Sequence, residues 1–207
     1  HYPLRRQRQM CIRDSAWVSH YDDAGQVRWA EKAGLRVVHG HAEITGPREV
    51  LVGENGRSRT LTARLAVVVA TGSSPVVPPA LQGIHAWSSR DATGVVEVPE
   101  RLAIVGGGVV AVEAATWMAA LGSEVTLLVR GDSLLGGQEP FVGDLVRSAL
   151  EELGVAVRFG TSVESASRDN ARATGLGRVH GGPVHLSATG GELQVDAVSY
   201  THLRAHE

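Results

Sequence analysis

Cysteine is almost absent: Cys11 is the only one, so no intrachain disulfide can form. Lysine is nearly absent too, with Lys32 alone against many arginines. Aromatic residues make up 4% of the chain, and no apolar run approaches the roughly 18 residues that span a bilayer. No leader with a basic start, an apolar core and a small-residue cleavage site is visible. The formal net charge of −2 leaves no basic surplus, which argues against a nucleic-acid binder. These absences point to a cytoplasmic protein with no membrane and no nucleic-acid partner. What is present is an ordinary globular composition: 43% hydrophobic and 20% charged over 207 residues, enough for one large domain or two modest ones.

The two ends stand apart from the rest. Residues 1–15 have no apolar period and carry Arg5, Arg6, Arg8 and Arg13; residues 199–207 interrupt a strand-like run, LQVDAV. Both strings resemble translated sequencing adapters, so residues 1–15 and 199–207 are expected to be foreign to the fold. Without them, 15 basic residues face 20 acidic ones, a net charge of −5, and Cys11 is gone.

Between the ends, residues 22–33 read as a helix stopped by Gly34. LRVVHGHAEI, REVLV and TLTA read as strands, with Asn55-Gly56 as a hairpin signal. LAVVVA, apolar at consecutive positions, reads as a strand buried on both faces of a parallel sheet. After Pro99 the pattern becomes strand–helix alternation. RLAIV, EVTLLV and VAVRF are strands, separated by helices over residues 109–121 and 140–153. PVHLSA and ELQVDAV are further strands, and GLGRVHGGP is a turn. The histidines, including His39 and His41 on one strand face, lack metal-ligand spacing, and no metal is expected.

The sharpest motif is RLAIVGGGVVAVEAA. Gly106, Gly108 and Ala111 fit G-x-G-x-x-G/A between a strand and a helix. Gly106 permits the tight turn and Gly108 lets the backbone approach a pyrophosphate. Ala111 allows close helix–strand packing, and the phosphates meet the N–H groups from Gly107 through Val109, Val110 and Ala111. About 20 residues on, an acid would bind the ribose of NAD; this strand ends instead in Arg130. An arginine there suits the 2′-phosphate of NADP, which is favoured over NAD. A solvated strand-end arginine is the other reading.

These residues resemble the pyridine nucleotide–disulfide oxidoreductases, the family of dihydrolipoamide dehydrogenase, glutathione reductase and mercuric reductase. GGGVVAVEAA resembles the family's nicotinamide-nucleotide fingerprint, with Glu113 at its acidic position near flavin and nicotinamide. LTARLAVVVATGSSPVVPP resembles its second FAD signature, which implies FAD contacts at Ala70, Thr71, Gly72 and Ser73. Gly40-His41-Ala42 resembles the segment that touches the FAD adenine, so His41 and Ala42 are assigned to FAD. Two departures stand out: Val109 replaces a tyrosine common in the family, and Gly136 stands where a second phosphate-binding arginine is expected.

The resemblance implies an α/β fold of Rossmann-like FAD- and NAD(P)-binding domains, with a parallel sheet, helices and a β-meander. Residues 16–98 would be the last part of an incomplete first FAD segment, and residues 99–198 the NAD(P) domain. The implied function is a fragment of an FAD-dependent NAD(P)H oxidoreductase passing a hydride to flavin and on to a disulfide or other acceptor. No catalytic residue other than Glu113 is implied in the fragment, which would be inactive alone, and the full-length protein would be a homodimer. The alternatives are a nucleotide-binding module without turnover and an NAD-linked dihydrolipoamide dehydrogenase.

Overall fold

The computed structural model describes residues 22–54, 56–201 and 203–205. Their contacts divide them into two compact units, residues 22–72 and 73–205. The break falls after Gly72, so residues 73–98 pack with the strand–helix part that follows Pro99. No helix among the described residues is long and apolar enough to cross a membrane.

The first unit opens with α1 (Ala24–Lys32). Gly34 ends it in the left-handed region (φ 79°), where Gly34 N–H donates to Glu31 O and Leu35 N–H to Ala30 O. The strands β1 (His41–Gly46), β2 (Glu49–Glu54) and β3 (Arg57–Thr62) form an antiparallel meander in that order. The expected first strand is shortened, because pairing starts only at His41. Residues 65–70 correct a further expectation. LAVVVA is not a buried strand: it has no ladder partner among the described residues, and Leu65 and Val68 are 80% and 87% exposed. Burial on both faces requires neighbouring strands, and the described residues of this unit supply none to it.

The second unit begins with β4 (Ser73–Pro75), a single 3₁₀ turn at Pro79–Leu81 and α2 (Ser89–Thr93). Then come β5 (Arg101–Val105), α3 (Val109–Ala120), β6 (Glu124–Leu128), α4 (Pro140–Glu152) and β7 (Ala156–Arg158). A meander of β8 (Val163–Arg168), β9 (Val184–Ala188) and β10 (Gly191–Val195) follows, and last β11 (Ala197–Tyr200) and β12 (Leu203–Ala205). The central sheet is parallel in the order β11-β5-β6-β7, as strand–helix alternation requires.

Alternation along the strands builds a core on each face of this sheet. Leu102, Ile104, Val125 and Leu127 pack with Ala111, Ala114, Ala115 and Met118 of α3. Ala103, Leu128 and Val198 pack on the other face with Val184, Leu186 and Val195 of the meander. At roughly 25 cal/mol per Å² of apolar surface removed from water, these two layers are the main stabilising element of the unit.

Three sequence expectations change here. ELQVDAV is two strands rather than one, broken at Asp196, with β10 antiparallel to β9 and β11 parallel to β5. Serine-rich β8 has no strong apolar pattern and appears only because β9 pairs with it. Ser199 and Tyr200, expected outside the fold, are buried in β11 opposite Ile104 and Val105. The parallel ladder continues there because its rungs are backbone groups, which any non-proline residue supplies.

Arg101 and Asp196 fasten the sheet change: Arg101 N–H donates to Oδ2 (2.9 Å) and Nη2 to Oδ1 (2.8 Å). Burial alone would raise the Asp196 carboxyl, but the Arg101 side chain and backbone hold it below the usual range. Arg168 is 9% exposed, and its Nη2 donates to Asp196 O, while Nε and Nη1 have no partner among the described residues. Burial pulls its guanidinium down from the ordinary value.

Two outcomes follow for stability. Arg168→Met removes a desolvated, half-satisfied charge, so denaturant unfolding should show unchanged stability or a gain of about 1–4 kcal/mol. Gly177→Ala should cost about 1–3 kcal/mol in the same assay. Gly177 is left-handed (φ 64°), and a Cβ there would meet the backbone oxygen of Gly94.

Candidate functional site

β5 and β6 run parallel with Val105 opposite Leu128, so the Gly106–Gly108 turn and Arg130 leave the sheet at the same edge. Gly106 has φ 138°, and a Cβ on it would collide with Thr201 Oγ1. That hydroxyl in turn donates to Val105 O at 3.3 Å. A Cβ on Gly107 would come within 2.7 Å of Val129 Cγ1. A Cβ on Gly108 would meet nothing within 4 Å. Gly106 is therefore favoured by its backbone conformation, a side chain on Gly107 would have to displace Val129, and Gly108 faces open space among the described residues.

Gly108 is the N-cap of α3, and no side chain caps the helix. Val112 N–H donates to Gly108 O, so the N–H groups of Val109, Val110 and Ala111 have no acceptor inside the helix. With the positive end of the helix dipole beside them, they form an anion-binding end next to an unobstructed space. Ala111 is fully buried against the sheet, whereas Val109 is exposed. Glu113 is exposed one turn into α3 and has no hydrogen-bond or ion-pair partner among the described residues.

Arg130 is exposed and likewise has no ion-pair partner among the described residues. The loop after it folds back on the turn, where Leu135 N–H donates to Gly107 O at 2.8 Å. Leu135 is left-handed (φ 52°), and Gly143 of α4 gives Leu134 room: a Cβ there would come within 2.6 Å of Leu134 O. Sequence reasoning missed this strap and its anchor, since a leucine at positive φ carries no compositional signal. It also missed Arg158, the exposed last residue of β7, whose carbonyl accepts from Val129 N–H at 2.9 Å. Arg158 therefore lies one strand over from Arg130 at the same edge.

The residues assigned to FAD belong mostly to the first unit. His41 and Ala42 are exposed at the start of β1, opposite Gly53 and Val52. Gly40 precedes them with φ 156°, and a Cβ on it would come within 2.5 Å of Gly53 O. Ala70, Thr71 and Gly72 are exposed, outside any strand. No hydrogen bond joins the two segments among the described residues. Ser73 begins β4 in the second unit. Among the described residues no three His, Cys, Asp or Glu side chains gather closely enough to hold a metal.

The chain is similar to known oxidoreductases. It is 38% identical over 140 residues to dihydrolipoyl dehydrogenase 2 of Haloarcula marismortui, covering 65% of this chain and 29% of that protein. It is 33% identical over 164 residues to a mercuric reductase of Shigella flexneri, covering 78% of this chain and 28% of that protein. The chain thus spans less than a third of these relatives. The fold matches the HOCl-induced flavoprotein disulfide reductase RclA from Escherichia coli with a TM-score of 0.74 at 23% identity, over 96% of this chain and 44% of that one. Residues 11–200 match the sequence profile of the pyridine nucleotide-disulphide oxidoreductases, and the chain belongs to that family.

Proposed function

We propose that this chain is the nicotinamide-nucleotide-holding part of an FAD-dependent NAD(P)H oxidoreductase, with NADP(H) preferred. The observation that carries the reading is the contrast among the three glycines: Gly106 and Gly107 are enclosed, and Gly108 opens onto the uncapped end of α3. The N–H groups of Val109, Val110 and Ala111 would take the pyrophosphate, and Gly108 would let the backbone come close to it. Arg130 would pair with the 2′-phosphate through charged hydrogen bonds. The Leu135–Gly107 strap would hold the ribose side of the site in place. Glu113, exposed and without a partner among the described residues, would face the nicotinamide end.

When bound, the nicotinamide supplies a hydride; the chain positions it and neutralises its phosphates. The family places an FAD beside it, and the electron acceptor lies beyond this chain. His41, Ala42, Ala70, Thr71, Gly72 and Ser73 would lie against the FAD. The paired dinucleotide signatures favour this reading over a binding module without turnover.

Two binding measurements test the proposal. Gly108→Val should leave unfolding within about 1 kcal/mol of the parent chain, since only the N-cap preference changes. In titration calorimetry the same variant should lose NADPH and NADH alike; retained binding would remove the fingerprint from the site. Arg130→Ala should weaken NADPH by about 1.5–3 kcal/mol and leave NADH unchanged. Equal NADPH and NADH affinities that ignore this substitution would make Arg130 a solvated residue and favour an NAD-linked enzyme.

A further inference from the structure

Between β8 and β9 the chain makes a long excursion, residues 169–183, that returns through the glycine-rich turn. It is fastened to residues 87–97 at several points. Val96 and Glu97 N–H donate to Gly177 O at 2.8 and 2.9 Å. Gly177 N–H donates to Asp91 Oδ1, and Val179 N–H to Glu97 Oε2. Trp87 Nε1–H donates to Arg178 O at 2.8 Å. Trp87 is fully buried and bridges in turn to β11, its N–H donating to Val198 O and its O accepting from Tyr200 N–H. The excursion therefore covers the segment that closes the β11 edge of the parallel sheet.

His180 sits in the root of this excursion, 8% exposed. Thr174 N–H is aimed at its Nδ1 from 3.2 Å. A backbone N–H cannot turn its proton away, so a proton on Nδ1 would set two N–H groups head to head. The Thr174 hydroxyl, 2.9 Å from Nδ1 and 2.9 Å from Val179 O, can turn to suit either state. The cost of protonation falls on the Thr174 N–H and on the burial of charge. The charged and titratable groups facing His180 are Arg168 of β8, Asp91 of α2, Glu97 of the following loop and His85, whose ring centre is 5.6 Å away. The two carboxylates already accept from the backbone of the excursion. Arg168 brings a buried guanidinium with two nitrogens that have no partner among the described residues.

We propose that His180 is an acid-released clasp. Neutral, it ties the returning limb of the excursion to Thr174 and keeps the shape that seats Gly177 and Val179 on residues 91–97; protonated, it lets the excursion open and uncovers residues 87–97. The inference stands apart from the nucleotide reading and does not depend on it. Burial first, and then the Arg168 charge, push the imidazole below its ordinary value of about 6.5. The closed state therefore binds fewer protons than the open one. Its stability is complete above that ordinary value and falls as pH drops below it, until the depressed value is passed. Between the two values the opening constant should rise with falling pH, by at most about tenfold per pH unit.

The test is hydrogen exchange of the 207-residue chain from pH 7.5 to 5, read as protection factors so that the intrinsic pH dependence of exchange is divided out. Thr174, Gly177 and Val179 amides should lose protection as pH falls below about 6.5, by at most about tenfold per pH unit, and level off once the depressed value is passed. His180→Asn keeps an acceptor for Thr174 N–H but cannot titrate, and its protection should stay flat. Should that variant not fold, Arg168→Met serves instead. NMR should then show the His180 titration moving upward and the loss of protection becoming shallower. Flat protection in the parent chain would overturn the proposal, as would a fall that survives His180→Asn. So would a His180 titration and a fall in protection that Arg168→Met leaves unchanged.

Discussion

At Asp196 the chain changes sheets within one residue, and Arg101 takes both oxygens of its carboxylate. Arg101 O accepts from Asp196 N–H as well, so the two residues are tied through backbone and side chain together. An exposed ion pair contributes little to stability on its own. This one matters through register. It sets Ala197 opposite Leu102, which places Val198 with the meander core and Ala197 with the helical core. A slip of one residue would exchange those faces. The two-sided packing of the parallel sheet depends on that junction, and the packed sheet in turn holds the glycine turn at its edge.

The glycine turn shows how one short motif answers three separate constraints. Gly106 answers to backbone conformation and to Thr201, and Gly107 answers to Val129 of the neighbouring strand. A side chain on Gly108 would meet nothing among the described residues, so packing does not demand a glycine there. The loop beyond Arg130 is bound to the same turn through Leu135, so the parts that would hold pyrophosphate and ribose form one rigid edge.

Strand–helix alternation and the fingerprint were legible because both are local: consecutive apolar strands, small residues at set spacing, and an alanine-rich helix. The Gly34 stop was legible for the same reason, since a turn's backbone demands are met by its own residues, whereas Asn55 of the expected hairpin lies outside the described residues. LAVVVA misled because burial belongs to a strand's neighbours and not to its own residues. β8 escaped because Ser165 and Ser167 carry no apolar signal and the strand exists through its pairing with β9. The break at Asp196 escaped because its cause, Arg101, lies 95 residues away. His180 reads as an ordinary polar residue in a glycine-rich turn until folding brings Arg168 and Asp91 to it. In the candidate site, Gly106–Ala111 and Arg130 were accessible to inspection. The Val129 contact, the Leu135 strap and the adjacent Arg158 required the sheet.

The open segment at residues 65–70 has a practical consequence. Leu65, Val68 and Val69 lie in water on backbone whose N–H and C=O groups join no ladder among the described residues. Such a stretch is a template for another extended chain, and a second molecule carries the same template. Self-association through it would be bimolecular, so dilution would oppose it and concentrating the sample would promote it. The working concentration would then set which species an experiment observes.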